Sequence, residues 1–256
     1  MKPAALITGA TTGIGFELAK LLAAEGRDLI LVARNAKRLQ EVSDQLRRDH
    51  RVNVTILARD LSEPHAADSL FEAVTKQDLQ VDTLINNAGF GVYGEFTKTE
   101  LEEELVMIQL NIAALTALSK LFLPGMLKSG RGRIMNVAST AAFQPGPLMA
   151  VYYATKAYVL SFSEALAEEL RGTGVTVTAL CPGATTTEFQ SRANMGHIAL
   201  FRYNSMTAEA VARIGYRGML QGRRLVVTGL FNRFGAFSVR FAPRGLVTRI
   251  VRRVMS

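Results

Sequence analysis

The stretch AALITGATTGIGFELAKLL, residues 4–22, decides the fold of this chain because an apolar run leads directly into a glycine-rich turn and a helix. Its first four residues predict a buried strand, and apolar positions at helical spacing from Phe16 onwards predict a helix that ends near Gly26. Glycines in such a turn let backbone amides at the helix N-terminus approach a pyrophosphate. Glycines alone would also fit an ordinary loop, but their place between a first strand and a helix predicts nucleotide binding.

Six further apolar runs follow, and helical segments separate them. The runs are DLILVAR (28–34), VNVTILARD (52–60), VDTLIN (81–86), RGRIMNVAS (131–139), VTVTAL (175–180) and RLVVTG (224–229). Helices are expected at about 36–49, 64–78, 99–127 and 151–170, the third of them ending near Pro124 and Gly125. Such alternation predicts a parallel sheet with helices on both faces. Because no linker divides the chain, we expect one α/β domain over 1–256, a Rossmann-like doubly wound fold with about seven parallel strands.

Composition narrows the class of protein. The single cysteine, Cys181, excludes an intramolecular disulfide framework, and with three histidines and no Cys/His cluster no metal site is expected. Cys181 adjoins a strand and is expected to be a small buried residue. The longest apolar region, 105–127, is interrupted by polar residues and a proline, and the N-terminus shows no signal-peptide pattern. These features predict a soluble, cytoplasmic protein.

The end of the second strand bears on the choice of cofactor. In a dinucleotide-binding fold an acid at this place binds the ribose 2′-hydroxyl, whereas an arginine accommodates a 2′-phosphate. Here the strand ends in Ala33 and Arg34, and Lys37 and Arg38 follow. The sequence therefore favours NADP(H) over NAD(H), although the same residues would also suit the basic start of an ordinary helix.

A hydroxyl, a phenol and an ammonium group occur together in IMNVASTAAFQPGPLMAVYYATKAYVL, residues 134–160. Ser139 lies at the carboxyl end of a predicted strand, the edge where open α/β sheets bind ligands. Tyr152 and Lys156 are four residues apart and would share one helix face, so the ammonium would lower the phenol pKa. A decrease of about three pKa units takes about 4 kcal/mol, which requires a second positive charge such as an oxidised nicotinamide ring. Tyr153 could share the same face, and such pairs are also common on solvated helices.

Several polar residues near predicted strand and helix ends have two interpretations. Asp60, followed by Leu61, lies past the third strand and could accept from an adenine amine or cap the next helix, which the spacing favours. Asn111 lies within a long apolar helix and is either a satisfied core polar group or a site residue. NNAG, at 86–89, and PG, at 182–183, predict turns, and spacing does not decide whether they also contact a ligand.

The chain resembles the short-chain dehydrogenase/reductase family over about residues 4–190, through TGATTGIG (8–15), NNAG (86–89), Asn111, Ser139, Tyr152-x-x-x-Lys156 and PG (182–183) in that order. The resemblance implies that Tyr152 is the general acid or base and that Ser139 hydrogen-bonds the substrate oxygen. It also implies that Lys156 binds the nicotinamide ribose and lowers the pKa of Tyr152. Asn111 would hold a water molecule that links the lysine to solvent, and the family spacing selects Tyr152 rather than Tyr153.

The resemblance further implies a set of cofactor contacts. Asp60 would contact the adenine, and Thr185 or Thr187 the nicotinamide carboxamide. Arg34 agrees with the NADP-preferring subgroup, although Thr12 stands where some of its members carry a basic residue. The complete set of implied cofactor-binding residues is Gly9, Thr11, Thr12, Gly13, Ile14, Gly15, Arg34, Asp60, Leu61, Asn87, Ala88, Gly89, Tyr152, Lys156, Pro182, Gly183, Thr185 and Thr187.

Residues and resemblance together imply NADPH-dependent reduction of a carbonyl, with Tyr152 as proton donor. A substrate lid at about 185–205 would favour a lipophilic ketone or aldehyde, or a 3-oxoacyl thioester. The alternative is a regulator or scaffold that binds the cofactor with little turnover. The resemblance also implies a homodimer or homotetramer through the helices at 99–127 and 151–170. The apolar residues of the lid, which could equally be core residues, are Phe189, Met195, Ile198, Leu200 and Phe201.

Positive charge is concentrated at the C-terminus. From Arg202 to Ser256 the chain has 11 arginines, no lysine and one acid, Glu209, so this part carries +10 and residues 1–201 carry −2. Within the Arg-rich C-terminal extension, about 231–256, PRGLVTRIVRRVMS predicts a helix with one apolar face. This face could dock on the protein's own core, or bind an anionic membrane surface or an acidic acyl-carrier partner. A nucleic-acid partner is not expected, because no recognition motif accompanies the charge.

Overall fold

Seven parallel strands form the central sheet of the structure, a computed structural model that describes residues 3–188 and 205–255. The strands are β1 (Ala4–Thr8), β2 (Asp28–Ala33), β3 (Val54–Ala58), β4 (Val81–Asn86), β5 (Gly132–Val137), β6 (Val175–Cys181) and β7 (Leu225–Val227). Their order is β3-β2-β1-β4-β5-β6-β7, and every neighbouring pair is parallel. The predicted sheet is confirmed. The strand order reverses between β1 and β4, which leaves a crevice at the carboxyl edge where such folds bind ligands.

Helices cover both faces of the sheet. Those of the described residues are α1 (Gly13–Ala24), α2 (Ala36–His50), α3 (Ala66–Lys76), α4 (Leu101–Ser129), α5 (Ala150–Glu169), α6 (Ala208–Leu220), α7 (Leu230–Ser238) and α8 (Arg244–Met255). Alternate residues of a strand point to opposite faces. In β1, Ala5 and Ile7 join the core beneath α1, α2 and α6, whereas Ala4 and Leu6 join the core beneath α3, α4 and α5. Burial on both sides explains why the strands are almost continuously apolar.

Helix α4 continues past Pro124, although its 29 residues equal the length of the predicted range 99–127. The expectation that it ends near Pro124 is wrong, since it continues to Ser129 and closes at Gly130 in a left-handed conformation. A proline inside a helix removes one backbone hydrogen bond, here the bond to the carbonyl of Lys120. Both Pro124 and Lys120 are exposed, so water can replace the missing donor and the helix continues.

The same helix is long and apolar enough, by length and composition, to cross a membrane. In the structure its residues Leu118, Phe122 and Met126 pack against the sheet as part of the core. The turn Gln109–Ala114 in its middle is π-helical, and Asn111 lies within it. Single π-turns of this kind often occur at functional sites.

A short pair of parallel strands, Thr185–Thr186 with Met206–Thr207, lies between β6 and β7 in the chain. The sequence does not indicate this pair. The pair brings the two ends of the predicted substrate lid together. The five apolar residues of that lid lie outside the described residues, so their place relative to the core stays a prediction: Phe189, Met195, Ile198, Leu200 and Phe201.

Two helices form the Arg-rich C-terminal extension. None of the nine residues of α7 is buried, and a 3₁₀ turn, Val239–Phe241, leads from it towards α8. The predicted C-terminal helix is confirmed, and its apolar residues divide between two sides. Val251 and Met255 pack into a core cluster, where the Tyr93 hydroxyl donates to the Met255 carbonyl at 2.6 Å. Docking on the protein's own core thus accounts for part of the helix, and its exposed apolar residues are Leu246, Ile250 and Val254.

Candidate active site

The glycine-rich turn after β1 is shaped for close backbone approach. Gly9 and Gly13 have φ values of 65° and 57°, which favour glycine. A Cβ on Gly15 would lie 2.3 Å from the Gly9 carbonyl oxygen, so this glycine lets α1 pack against the turn. Thr12 occupies the N-cap position of α1, but its side chain makes no capping hydrogen bond. The first amides of α1 can therefore bind an anion.

The NNAG turn is tied to the end of β1. Asn87 donates from Nδ2 to the carbonyl oxygens of Thr8 and Gly9, each at 3.0 Å. Thr8 Oγ1 in turn accepts the amides of Asn87 and Ala88, each at 3.0 Å. These four bonds hold the NNAG turn next to the glycine-rich turn. The two turns lie on opposite sides of the crevice between β1 and β4.

A buried polar chain crosses the sheet beside this turn. Asn86 donates to Asn136 Oδ1 at 2.9 Å and to Ser119 Oγ at 3.1 Å, and Asn136 donates to Ser163 Oγ at 2.9 Å. These bonds fix β4 and β5 relative to the helices that carry the site, although Asn86 Oδ1 is buried without a hydrogen-bond partner among the described residues. The sequence patterns above do not indicate this network, and the signal for it is an asparagine near the end of each of two buried strands.

Asn111 is buried and fully engaged. Its Nδ2 donates to the Phe90 carbonyl at 3.0 Å and to Thr155 Oγ1 at 3.1 Å, while its Oδ1 accepts the Phe90 amide at 3.2 Å. Its side chain is therefore a satisfied buried polar group, and the role of Asn111 at the site stays a prediction. Asn111 is nevertheless close to the site, because a Cβ on Gly89 would lie 2.8 Å from Asn111 Oδ1 and 3.5 Å from Lys156 Nζ. Glycine at position 89 thus leaves room between these two polar groups.

The predicted hydroxyl, phenol and ammonium groups come together where β5 ends and α5 begins. The Ser139 hydroxyl makes a hydrogen bond with Tyr152 and accepts the Ala141 amide at 3.1 Å. Lys156 donates from Nζ to the Val137 carbonyl at 2.9 Å, and Nζ lies 5.8 Å from the centroid of the Tyr152 ring. Tyr152 and Lys156 are both buried, so the pair does not belong to a solvated helix face.

Burial controls the acid–base properties of these groups. It raises the pKa of Tyr152 well above its usual range, and the hydrogen bond from Ser139 opposes this only in part. Burial also lowers the pKa of Lys156 to about 8. In the chain alone desolvation disfavours the charged forms of both groups, and the expected decrease of the Tyr152 pKa, which also requires the charge of an oxidised nicotinamide ring, stays a prediction. A protonated tyrosine is the state that a proton donor requires.

Tyr153 lies beside this group. Its ring centroid is 6.2 Å from that of Tyr152, and burial raises the pKa of Tyr153 to about 12. The ring packs so closely on the loop before α5 that a Cβ on Gly146 would lie 2.2 Å from it. Ser139 makes its hydrogen bond with Tyr152 and not with Tyr153. Tyr153 therefore only lines the cavity.

Arg34 and Asp60 lie together past the ends of β2 and β3, with Arg34 Nη1 3.5 Å from Asp60 Oδ2. Asp60 Oδ1 also accepts the Ser62 amide at 3.0 Å and the Ser62 hydroxyl at 2.6 Å. Burial raises the pKa of Asp60, but the bonds from Ser62 and the charge of Arg34 outweigh it, so this pKa is below its usual value. The prediction that Asp60 caps the next helix is wrong, since Asp60 caps a turn and α3 begins at Ala66 with His65 as its N-cap.

One cavity of about 480 Å³ connects these groups. Of the predicted site residues, all but Gly15 and Asn111 line it: Gly9, Thr11, Thr12, Gly13, Ile14, Arg34, Asp60, Leu61, Asn87, Ala88, Gly89, Ser139, Tyr152, Lys156, Pro182, Gly183, Thr185 and Thr187. The cavity also includes Asn35, Arg59, Phe90, Met149 and Met255, which the sequence does not indicate. Met255 arrives from the far end of the chain on α8, and no local motif signals it.

Comparison with known proteins identifies the family. A profile of the short chain dehydrogenase family matches residues 3–197. An uncharacterised oxidoreductase of Staphylococcus epidermidis is 34% identical over 192 residues, 75% of this chain and 82% of that protein. A short-chain dehydrogenase from Sphingobium yanoikuyae, solved in complex with NADPH, is 34% identical with a TM-score of 0.84, covering 96% of this chain and 95% of its own. The bulky-bulky ketone specific alcohol dehydrogenase from Comamonas testosteroni is 28% identical with a TM-score of 0.79, covering 96% and 93%.

Related structures differ in the cofactor they carry. The Sphingobium enzyme is a complex with NADPH, whereas a short-chain dehydrogenase/reductase from Burkholderia phymatum is a complex with NAD. The glycine cradle, the uncapped start of α1 and the arginine past β2 fit a cofactor of this class. The chain belongs to the short-chain dehydrogenase/reductase family, as its motifs predict, and is an NAD(P)-dependent oxidoreductase.

Proposed function

We propose that the protein reduces a ketone or aldehyde to an alcohol, with Tyr152 as the proton donor. The observation that carries this proposal is the hydrogen bond between Ser139 and a buried Tyr152 inside the cavity. The nicotinamide cofactor supplies the hydride. Ser139 holds the carbonyl oxygen, and Tyr152 donates its proton to that oxygen as negative charge develops there.

Lys156 and Asn111 support this proton transfer in the proposal. Lys156 would bind the nicotinamide ribose, and its amine is held by the Val137 carbonyl. Asn111 and Lys156 approach the same point beside Gly89, so a water molecule bound there would connect Tyr152 to solvent. Asn111 acts as a positioning residue, because Phe90 and Thr155 fix its amide.

We infer a preference for NADP(H) over NAD(H) from the residues past β2. No acid ends this strand, and the Arg34 side chain is 66% exposed, with Asp60 3.5 Å away. Arg59 lines the same cavity and adds a second positive charge. The two arginines would bind a 2′-phosphate, for which a planar guanidinium is well suited.

Replacement of Arg34 tests this inference. Arg34→Leu should lower kcat/KM for NADPH by about 10–100-fold, because a charged hydrogen bond to phosphate is lost, and should change kcat/KM for NADH by less than about threefold. Steady-state rates with both cofactors measure the two effects. Arg48→Leu, at an exposed arginine in the last turn of α2 that does not line the cavity, is the matched control. Equal losses with both cofactors would show that Arg34 does not read the 2′-phosphate.

The cavity around Tyr152 supports a lipophilic substrate. Tyr152 and Tyr153 belong to a core cluster with Met149 and Met255, against which Phe90 packs. A polar substrate would lose its hydration beside these side chains without gaining hydrogen-bond partners from them, whereas an apolar substrate would be stabilised by burial. The ketone specificity of the Comamonas relative, which acts on bulky-bulky ketones, is in keeping with this environment.

A substrate screen tests the proposed function. Loss of NADPH absorbance is followed with ketones, aldehydes and 3-oxoacyl thioesters whose apolar groups increase in size. We expect kcat/KM to rise with apolar size until the cavity is filled. Binding of NADPH without oxidation by any of these compounds would favour the alternative, a cofactor-binding regulator or scaffold. The complete set of Ser139, Tyr152 and Lys156 around one cavity argues for turnover.

We also propose a cytoplasmic homodimer or homotetramer formed through α4 and α5. Leu101, Leu105 and Ile108 are exposed on α4 at a spacing that places them on one helix face, and Tyr158 is exposed on α5. An apolar face of this kind is typical of a subunit interface. Sedimentation velocity over a range of protein concentrations measures the assembly state.

A further inference from the structure

The four most exposed large apolar side chains of the described residues lie in α7 and the turn after it. Leu230, Phe231, Phe234 and Phe241 are 72–81% exposed. One helix face carries Leu230, Phe234, Phe237 and Phe241, which follow one another at intervals of four, three and four residues. Phe237 is exposed like the other three. The rings of Phe237 and Phe241 touch edge to face, with centroids 5.1 Å apart. A contiguous exposed stripe of this kind marks an interaction site.

Helix α8 adds a second exposed stripe. Val247, Val251 and Met255 face the protein, while Leu246, Ile250 and Val254 remain exposed at intervals of four residues. The helix is therefore anchored on one side and presents apolar side chains on another. Together, α7, the 3₁₀ turn and α8 form what we call the C-terminal surface, residues 230–255.

Positive charge surrounds these apolar residues. No aspartate or glutamate follows Glu209 in the sequence, so the C-terminal surface contains no acid of its own. Its exposed arginines beside the two stripes are Arg233, Arg240, Arg244, Arg249 and Arg253. Guanidinium groups bind phosphate with paired hydrogen bonds, so the charge is complementary to an anionic, phosphate-bearing partner.

We propose that the C-terminal surface docks the protein on a membrane of anionic lipids. Helices with Phe and Leu on one face and basic residues beside them lie in the membrane interface, with the apolar side chains below the headgroups. A second copy of the chain is a poorer partner, because a two-fold contact of this surface with itself would place arginine against arginine without an acid. The lipid phosphates supply the missing negative charge.

The C-terminal surface is also fixed close to the cavity. Asn232 of α7 donates to the Thr228 carbonyl at 2.7 Å and packs so closely on Gly183 that a Cβ there would lie 2.3 Å from its Nδ2. Gly183 and Met255 both line the cavity. Docking would therefore bring the cavity next to the lipid, and entry of a lipophilic substrate from the membrane, which rests on the proposed function, follows as a consequence.

Vesicle sedimentation of the full chain tests the docking without reference to catalysis. Phosphatidylcholine vesicles are compared with vesicles that contain about 30% phosphatidylglycerol, at about 0.05 M and about 0.5 M salt. We expect binding to the anionic vesicles at low salt, weaker binding at high salt, and little binding to phosphatidylcholine alone. Failure to bind anionic vesicles at low salt would overturn the proposal.

Two double variants locate the surface. Phe231→Ser with Phe234→Ser, and Arg240→Glu with Arg244→Glu, should each lower partition into anionic vesicles by about tenfold or more. The matched controls are Phe96→Ser, at a side chain 64% exposed elsewhere, and Arg48→Glu, and both should bind as the unaltered chain does. Circular dichroism and NADPH binding confirm that each variant is folded. Undiminished vesicle binding by both double variants would contradict the proposal. A change of assembly state in place of lost vesicle binding would also contradict it and would favour a contact between copies of the chain.

Discussion

The two helical regions that border the cavity, α5 and the C-terminal surface, differ in their relation to water. Helix α5 buries Tyr152 and Lys156 and holds them by hydrogen bonds to Ser139 and Val137. The C-terminal surface leaves α7 without a buried residue and keeps its phenylalanines exposed. The charge of the two regions differs as well, since α5 has one lysine and three glutamates and the C-terminal surface has arginines and no acid. The difference in exposure arises because α5 packs against both the sheet and α4, whereas α7 has solvent on one side.

This contrast separates two physical requirements. Proton transfer needs groups that are held in one geometry and shielded from water, so that burial can shift their pKa values. Association needs surface that stays open until a partner covers it. The distribution of charge follows the same division, with −2 in residues 1–201 and +10 in the remainder.

The largest expected effect concerns two adjacent tyrosines of the buried helix α5. Tyr152→Phe should lower kcat for carbonyl reduction by about 10³-fold or more, because the proton donor is lost, whereas Tyr153→Phe should lower it by less than about tenfold. Initial rates of NADPH consumption measure both variants, and NADPH binding serves as the control for folding. Equal losses, or the reverse ranking, would reject the assignment of Tyr152.

Two phenylalanines, one buried and one exposed, test how burial changes a side chain's contribution to the free energy of unfolding. Phe122 is 5% exposed and Phe234 is 72% exposed. Phe122→Ala should cost about 3–5 kcal/mol of unfolding free energy through the cavity it leaves, while Phe234→Ala should change stability by less than about 0.5 kcal/mol. Urea denaturation of the two variants gives both values. A comparable loss from Phe234→Ala would mean that α7 is packed in solution and that its stripe is already covered.

The smallest expected effect concerns the charge on Lys156. Burial lowers its pKa from 10.5 to about 8, so the unfolded chain binds more protons than the folded chain between these values. The cost to stability is fully present below pH 8 and is relieved as the pH rises towards 10.5. That cost is about 3 kcal/mol at 1.36 kcal/mol per pKa unit, and loss of the bond to Val137 would offset about 1 kcal/mol of it.

Lys156→Met should therefore raise the unfolding free energy by about 2 kcal/mol at pH 7, and the gain should largely disappear near pH 10. Urea denaturation at the two pH values measures it. Lys76→Met, at an exposed lysine, is the control and should show no such pH dependence. A gain of equal size at both pH values would show that apolar packing, not charge, is responsible.

Much of the fold and of the site could be predicted because its signals are local. The seven strands, the glycine-rich turn and the grouping of Ser139, Tyr152 and Lys156 follow from short patterns and from the rule that parallel strands share a carboxyl edge. Two local predictions were wrong because the polar group concerned has another partner than the local rule assumes. Pro124 does not end α4, since Lys120, whose carbonyl loses its bond, is exposed to solvent, and Asp60 caps a turn because Ser62 is nearer than the next helix.

The sequence by itself determined the order of strands and helices, the family, and which side chains carry the chemistry, because these depend on residue types at fixed separations. The tertiary structure alone decided the direction of the Tyr152 pKa, the satisfaction of Asn111 by Phe90, and the entry of Met255 into the cavity. It also decided which apolar residues of the C-terminal helix are buried. Solvation and packing depend on residues far apart in the chain, and no local pattern contains them.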